Sequence, residues 1–263
     1  MNALETHMLD LLKRLRDEYG VLAVKAEFEA EGTRVDELLR LLEIANKADL
    51  KIGLKIGGCE AIRDLIESKS FGCDYIIAPM IETEYALSKF ALARKKIYGD
   101  DENTKFLFNL ETTTAFQKRQ DLFDAAAGTL DGCVFGRVDY TGSLGMSRDS
   151  INDDIVTVDV CEAAKLSKAN NMEMVVGGGV SMDSLDALRT IKEINLTRFE
   201  TRKIIFSADA LDIPTIDKGL LTAVEFELSW LKNKRAFYEV IFTEDEIRIQ
   251  MLESRWKELL ELV

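Results

Sequence analysis

The chain has 263 residues, 47% of them hydrophobic, and a formal charge of −13 from 47 acidic and 34 basic residues. That length suits one large α/β domain or two small ones, a single strand-helix barrel taking about 250 residues, and the acidic excess opposes phosphate-backbone binding, so nucleic acid is not an expected partner. No apolar run approaches the roughly 20 residues that cross a bilayer, so no membrane is expected, and Cys59, Cys73, Cys133 and Cys161, with no CxxC pair, read as reduced core thiols of a cytoplasmic protein.

The first twenty residues, MNALETHMLDLLKRLRDEYG, are amphipathic and charged throughout, which predicts a helix and lacks the apolar centre of a signal peptide. Apolar, β-like runs then recur at 21–31, 51–58, 74–80, 105–111, 131–137, 173–179 and 201–207. Segments with apolar residues three and four apart separate them: RVDELLRLLEIANKA, ETEYALSKFALARKKIYG, TTTAFQKRQDLFDAAAG and SMDSLDALRTIKEI. Glycines end the second and third of these, as a helix stop requires. With an eighth strand hidden near FETRK or in the amino-terminal region, the alternation predicts a closed parallel (β/α)8 barrel, a TIM barrel. An open doubly wound sheet is the alternative, but no GxGxxG or GxxxxGK[ST] occurs in the chain. Only two prolines and no linker-like stretch leave 1–263 as one domain, the barrel covering about 20–210 and carboxy-terminal helices about 215–263. In the latter, Thr243 and Glu246 have capping-box spacing, and Trp230 and Trp256 read as packing anchors.

Three places carry unusual polarity. Alternation along VKAEFEAEG puts Lys25, Glu27, Glu29 and Glu31 on one face of the first strand, where a barrel strand is normally packed on both. Such charges are paired, ligand-bound or open to water, and the same pattern would also fit a solvated edge strand of another fold. In FNLETT, Glu111 closes an apolar run, and in LDGCVFGRVDYTGSLG, Asp139 follows another. Strand ends are where such barrels build their sites, and two hard oxygen ligands there suit a magnesium-type ion; acids in that position also serve as helix N-caps. Gly177, Gly178 and Gly179 fit a tight strand-to-helix turn better than a phosphate cradle, and Arg202 and Lys203 would alternate across the last strand.

The ordered series KIGGCEAIRDLIESKSFGCDYIIAPMIETEYAL, FLFNLETTTAF and LDGCVFGRVDYTGSLG, followed by GGGVSMDSLDALRTI and FETRKIIF, resembles the metal-dependent class II pyruvate aldolase and citrate lyase beta-subunit family, a phosphoenolpyruvate/pyruvate-type barrel. The resemblance covers about residues 20–210. It implies Glu111 and Asp139 as ligands of Mg2+ (or Mn2+), 28 residues apart as one strand-helix-strand step allows. Lys55 falls where the family usually has an arginine gripping the substrate carboxylate, and Asn109 where an amide precedes the glutamate ligand. The backbone at Gly136, Arg137 and Val138 corresponds to the substrate-binding turn; Arg137 replaces the usual proline, either supplying the guanidinium absent at position 55 or lying solvated in a loop. The family's acid-histidine pair has no counterpart, since the sole histidine, His7, lies in the amino-terminal helix, so Glu29 or Glu31 is the expected base or water-orienting acid, beside Lys55.

The activity implied is carbon–carbon cleavage or formation on a 2-oxo acid or related carboxylate through a metal-stabilised enolate. Family members often lend the terminal helix to a neighbour, which implies a homo-oligomer. The departures at position 55 and at the base leave a second reading open, a barrel that binds metal and acid without independent catalysis or works with a substrate-carrying partner. A third, a sugar-phosphate barrel using the glycine triplet, ranks last.

Overall fold

The computed structural model describes residues 1–100 and 103–260. Helix α1 (Ala3–Tyr19) precedes strand β1 (Val21–Glu27). There follow α2 (Val35–Lys47), β2 (Lys51–Lys55), α3 (Ile62–Ser70), β3 (Tyr75–Ala78), α4 (Glu84–Tyr98) and β4 (Lys105–Leu110). The second half holds α5 (Thr113–Gln117), α6 (Arg119–Ala126), β5 (Gly132–Gly136), α7 (Arg137–Ser143), α8 (Asp154–Ala169), β6 (Glu173–Gly177) and α9 (Leu185–Lys192). Strands β7 (Arg198–Glu200) and β8 (Ile204–Ser207) and helix α10 (Ile216–Leu260) complete it.

The eight strands close into a barrel in sequence order. Strands β1 to β7 are parallel, but β8 runs antiparallel to both β7 and β1. The expectation of an all-parallel barrel is corrected there, and the cause is chain length: residues 201–203 are all that join β7 to β8, whereas a parallel crossover needs a dozen residues or more. The hidden strand is Arg198–Glu200, and Arg202 and Lys203 lie in the hairpin turn rather than across a strand. That turn lies at the end of the barrel where β1 to β7 finish.

Apolar residues fill both sides of the strands. Outside, the helices pack on them in one continuous core; inside, Ala23, Tyr75, Ile77, Leu107, Val134, Val175 and Ile205 plug the lumen. Below that plug Glu173 bridges Lys105 and Arg198, and the Arg198 guanidinium lies 4.4 Å from the centre of the Tyr75 ring. The floor is therefore sealed, and the open end is the other one. The predicted helix over 112–128 breaks at Lys118 into α5 and α6. Helix α8 packs through Val156, Val160, Ala163, Ala164 and Ser167, a face of small and β-branched residues whose periodicity is weak in the sequence.

Helix α10 is one helix of 45 residues, not several. Thr243 does not cap a helix start; its hydroxyl donates to the Glu239 carbonyl 2.8 Å away, four residues back, inside a continuous helix. No glycine or proline between Leu220 and Leu260 interrupts it. Its first four turns pack on α1 and the barrel through Leu220, Ala223, Phe226 and Trp230. His7 of α1 meets Glu225 of α10 at 3.1 Å on the surface.

Candidate active site

The open end of the barrel holds a cavity of about 380 Å³. Its walls are the ends of β1 to β7, and the in-register pairs Glu27 with Lys55 and Gly136 with Gly177 set these strand ends at common levels. Hence residues remote in the chain, Lys25, Lys55, Asn109, Glu111 and Glu200, converge on one space.

Glu111 is the most enclosed of the acids, with 1% of its side chain accessible. Its Oε1 accepts the Met80 backbone N–H at 2.9 Å and its Oε2 accepts the Asn109 amide at 2.6 Å, with the Lys55 ammonium at 3.5 Å. Met80 reaches it by adopting φ of 50°, a left-handed conformation that costs a non-glycine residue energy and is therefore held by its surroundings. Burial raises the Glu111 carboxyl above the ordinary carboxylate range; Lys55, Met80 and Asn109 oppose the rise and Asp139 adds to it. Glu111 does not cap a helix. Thr112 does so, its hydroxyl accepting the Ala115 N–H at 3.2 Å, so Glu111 is left free to face the cavity.

Two glycines make room for acids. A Cβ at Gly136 would stand 2.7 Å from Glu111 Oε2, and one at Gly177 would stand 3.1 Å from Glu200 Oε1. The next two residues serve as a turn, as the sequence favoured: Gly178 and Gly179 have φ of 78° and 68°, and a Cβ at Gly178 would meet the Val138 nitrogen at 2.6 Å. The loop after β6 thus lies directly on the start of α7.

The other residues expected at the site are distributed unequally. Lys55 ends β2 with its ammonium 3.0 Å from Glu29 and 3.5 Å from Glu111, and although burial lowers its pKa, the two carboxylates raise it overall, so it is a fixed cation. Strand β1 ends at Glu27, so Glu29 and Glu31 follow it in a turn. Glu29 lines the cavity; Glu31 does not, being paired with Lys203 and, at 3.9 Å, with Arg202. Asn109, Gly136, Val138 and Asp139 all line the cavity. Asp139, in the first turn of α7, is exposed and makes no hydrogen bond or ion pair among the described residues.

Arg137 is neither a solvated loop residue nor a group facing the site. It is 1% exposed and points beneath the glycine loop, donating to the carbonyls of Gly177 and Gly178 and to Asn152 and Ser184. Burial without an acid partner pushes its guanidinium down to about 10. It fastens β5 to β6. Two other guanidiniums line the cavity: that of Arg148, exposed and without an ion pair among the described residues, and that of Arg202, 3.6 Å from Glu227.

The sequence reading missed Glu200 as a site residue. It ends β7 as Glu111 follows β4, and its Oε1 accepts from Lys25 Nζ at 2.6 Å, with Glu27 3.4 Å from the same ammonium. Burial lowers the Lys25 pKa, but Glu200 and Glu27 more than reverse this, so Lys25 is a permanent ammonium. The signal in the sequence was an acid closing a three-residue strand too short to show alternation.

The family model described as HpcH/HpaI aldolase/citrate lyase matches residues 21–195, and no curated protein matches the chain in sequence. Among solved structures, an HpcH/HpaI aldolase from Desulfitobacterium hafniense superposes with a TM-score of 0.57 at 12% identity, over 80% of this chain and 95% of that one. A citrate lyase from Burkholderia xenovorans gives 0.56 at 16% identity, over 86% and 79%. Macrophomate synthase gives 0.50 at 12% identity, over 88% and 90%. At these identities the structural likeness speaks for the fold, the same barrel that the strand order shows. With the family model spanning residues 21–195, the chain belongs to the HpcH/HpaI aldolase/citrate lyase family, a family of carbon–carbon lyases.

Proposed function

We propose that this protein is a divalent-metal-dependent carbon–carbon lyase acting on a 2-oxo acid or related carboxylate at the open end of the barrel. The observation that carries the reading is the charge of the cavity. Its lining holds six carboxylates, Glu27, Glu29, Glu111, Asp139, Glu200 and Glu227, against the four cations Lys25, Lys55, Arg148 and Arg202. Two of its buried oxygens, Asn109 Oδ1 and Glu200 Oε2, accept no hydrogen bond, and Glu29 Oε2 has only the Lys55 ammonium, 3.0 Å away. A cavity short of positive charge and rich in unsatisfied oxygen fits an oxygen-seeking dication such as Mg2+ or Mn2+.

Glu111 and Asp139 are the residues that would hold it. No group of three or more His, Cys, Asp or Glu converges as a ligand set among the described residues, which leaves the other coordination positions to water and substrate. When bound, the cation supplies Lewis-acid stabilisation of the negative charge that develops on the oxo acid. Met80 N–H and the Asn109 amide fix the Glu111 carboxylate, as outer partners of a ligand do. Lys55, permanently protonated, offsets the charge of Glu29 and Glu111 and is an electrostatic clamp for a substrate carboxylate, not a base. Glu29, a cavity-lining carboxylate whose Oε2 is held 3.0 Å from the Lys55 ammonium, is the group to take a proton from the substrate. Arg148 at the mouth would meet a second carboxylate. The four free cysteines fit a reducing compartment, and we place the enzyme in the cytoplasm.

Calorimetric titration with oxalate, a mimic of the pyruvate enolate, tests the reading with and without Mg2+. Binding that needs the metal and is lost in Glu111→Gln and Asp139→Asn variants that retain the wild-type circular dichroism is the expected result. Metal-independent binding, or binding untouched by both substitutions, would refute it. A panel of 2-oxo acid aldols then reports turnover.

A further inference from the structure

Arg137 is a buried cation with no acid to answer it. Its hydrogen bonds go to neutral acceptors, the carbonyls of Gly177 and Gly178 at 3.2 Å, Asn152 Oδ1 at 2.9 Å and Ser184 Oγ at 3.2 Å. Burying a guanidinium without an anion is costly, and a neutral side chain would join β5 to β6 with less penalty. What the charge does instead is orient the loop after β6. The peptide bonds are trans and planar, so each N–H lies opposite the carbonyl before it. With the Gly177 and Gly178 carbonyls turned to Arg137, the N–H groups of Gly178 and Gly179 point away from it. Neither has a hydrogen-bond partner among the described residues. Both glycines are half-buried and line the cavity, whereas Arg137 does not. The same guanidinium holds the turn Arg148–Asn152 through Asn152, and that turn packs on Gly179, where a Cβ would stand 2.4 Å from Ile151 Cδ1. Arg148, three residues from that contact, lines the cavity beside the loop.

We propose, on the lyase reading above, that the N–H groups of Gly178 and Gly179 and the Arg148 guanidinium form one subsite for a second carboxylate of the substrate, and that Arg137 is the positioning residue that builds it. Two peptide dipoles run from Arg137 to the cavity with their positive ends outward, so its charge reaches the anion without touching it. A carboxylate is an acceptor only and can take N–H bonds and a guanidinium together. The acids near the loop are otherwise engaged. Glu200, whose Oε1 lies 3.1 Å from the Cβ position of Gly177, is held by Lys25, and Asp139 is a proposed metal ligand. The two departures of this motif, arginine at 137 and lysine at 55, then have separate tasks: Lys55 serves the end of the substrate at Glu111, and Arg137 serves the far end through the loop.

The test titrates the isotope-labelled full chain in Mg2+ with 2-oxoglutarate and 2-oxoadipate, and with 2-oxopentanoate and 2-oxohexanoate, which match them in carbon number but lack the distal carboxylate. Calorimetry gives the affinities, and amide NMR follows Gly178 and Gly179. At least one dicarboxylate should bind more tightly than its matched monocarboxylate by roughly 10- to 100-fold, the worth of hydrogen bonds to a charged group. Both glycine amide protons should move downfield with that dicarboxylate and not with its match. Arg148→Met and Arg137→Met should each abolish most of the preference, and in Arg137→Met the two amide protons should no longer respond. The ratio cancels any loss common to both ligands, as damage at the metal end would be. Equal binding of both pairs in wild type, glycine amides that do not move, or a preference that survives either substitution in a variant with wild-type circular dichroism overturns the proposal. If Arg137→Met does not fold, the wild-type amides and Arg148→Met decide by the same criteria. Inorganic phosphate moving these amides at lower concentration than either dicarboxylate would also overturn it, by assigning the loop to phosphate. Failure of the lyase reading is seen separately, as oxalate that does not bind in Mg2+ while the glycine amides still answer the dicarboxylate.

Discussion

Replacing Gly136 by alanine tests how tightly the Glu111 carboxylate is seated. The new methyl would lie 2.7 Å from Glu111 Oε2 and 2.9 Å from its Cβ. Its own backbone is unstrained, because φ there is −88°, so the whole effect is steric. Restoring ordinary contact, 3.4 Å, means moving the carboxylate oxygen by 0.7 Å. That oxygen accepts the 2.6 Å bond from Asn109, and the other accepts the 2.9 Å bond from Met80 N–H, so one of them is stretched beyond use. Overpacking together with the loss of one charge-assisted hydrogen bond costs about 2–4 kcal/mol. For a chain of this size that lowers Tm by roughly 5–10 °C. A displacement near 1 Å at a reacting centre costs about 100-fold in rate, so turnover should fall more steeply than stability. Gly142→Ala is the matched control: nothing lies within 4 Å of its Cβ in α7, and it should gain about 0.5–1 kcal/mol. Differential scanning calorimetry and oxalate titration in Mg2+ read both. If Gly136→Ala melts within about 2 °C of wild type and binds oxalate unchanged, Glu111 is not held by the contacts described.

Lys25→Met should destabilise the barrel by about 3–5 kcal/mol, because it leaves Glu200 and Glu27 buried without their cation. Adding Glu200→Gln should recover part of that loss, and a double-mutant cycle in urea measures the coupling; strict additivity would show that Lys25 and Glu200 do not interact. Burial raises the Glu173 carboxyl, but Arg198 and Lys105 outweigh it and hold the group below the usual carboxylate range. Its stabilisation is therefore complete above the ordinary carboxylate pKa and is lost as pH falls through the lower folded value. Urea midpoints measured from pH 7 to 3 should drop less in Glu173→Gln than in wild type, and parallel curves would remove Glu173 from the acid limb. The Cys73 thiol is pushed up to about 12 and that of Cys133 is also raised, both by burial. Thiol titration of the native protein at pH 8 should leave these two unreacted until denaturant is added, and rapid labelling of all four would contradict the packing.

The sequence determined the alternation of strand and helix, because a parallel strand buried on both faces is an apolar run and its crossover helix shows a 3.6-residue period. Polar residues at the ends of apolar runs drew attention to Glu111 and Asp139, and the family resemblance added Lys55 and Asn109; all four line the one cavity. What the chain pairs with across space was not visible. Glu29 and Glu31 looked equivalent by alternation, yet the strand stops at Glu27, and the turn beyond sends one to Lys55 and the other to Lys203. Arg137 resembled a candidate for the cavity because of its position in the motif, but its side chain was claimed by carbonyls of a loop 40 residues away. Glu200 and the reversal of β8 depended on a three-residue turn that no periodicity signals. Local patterns report burial and period; the partner of a buried charge is fixed only when distant strand ends come into register, and that is a property of the closed barrel.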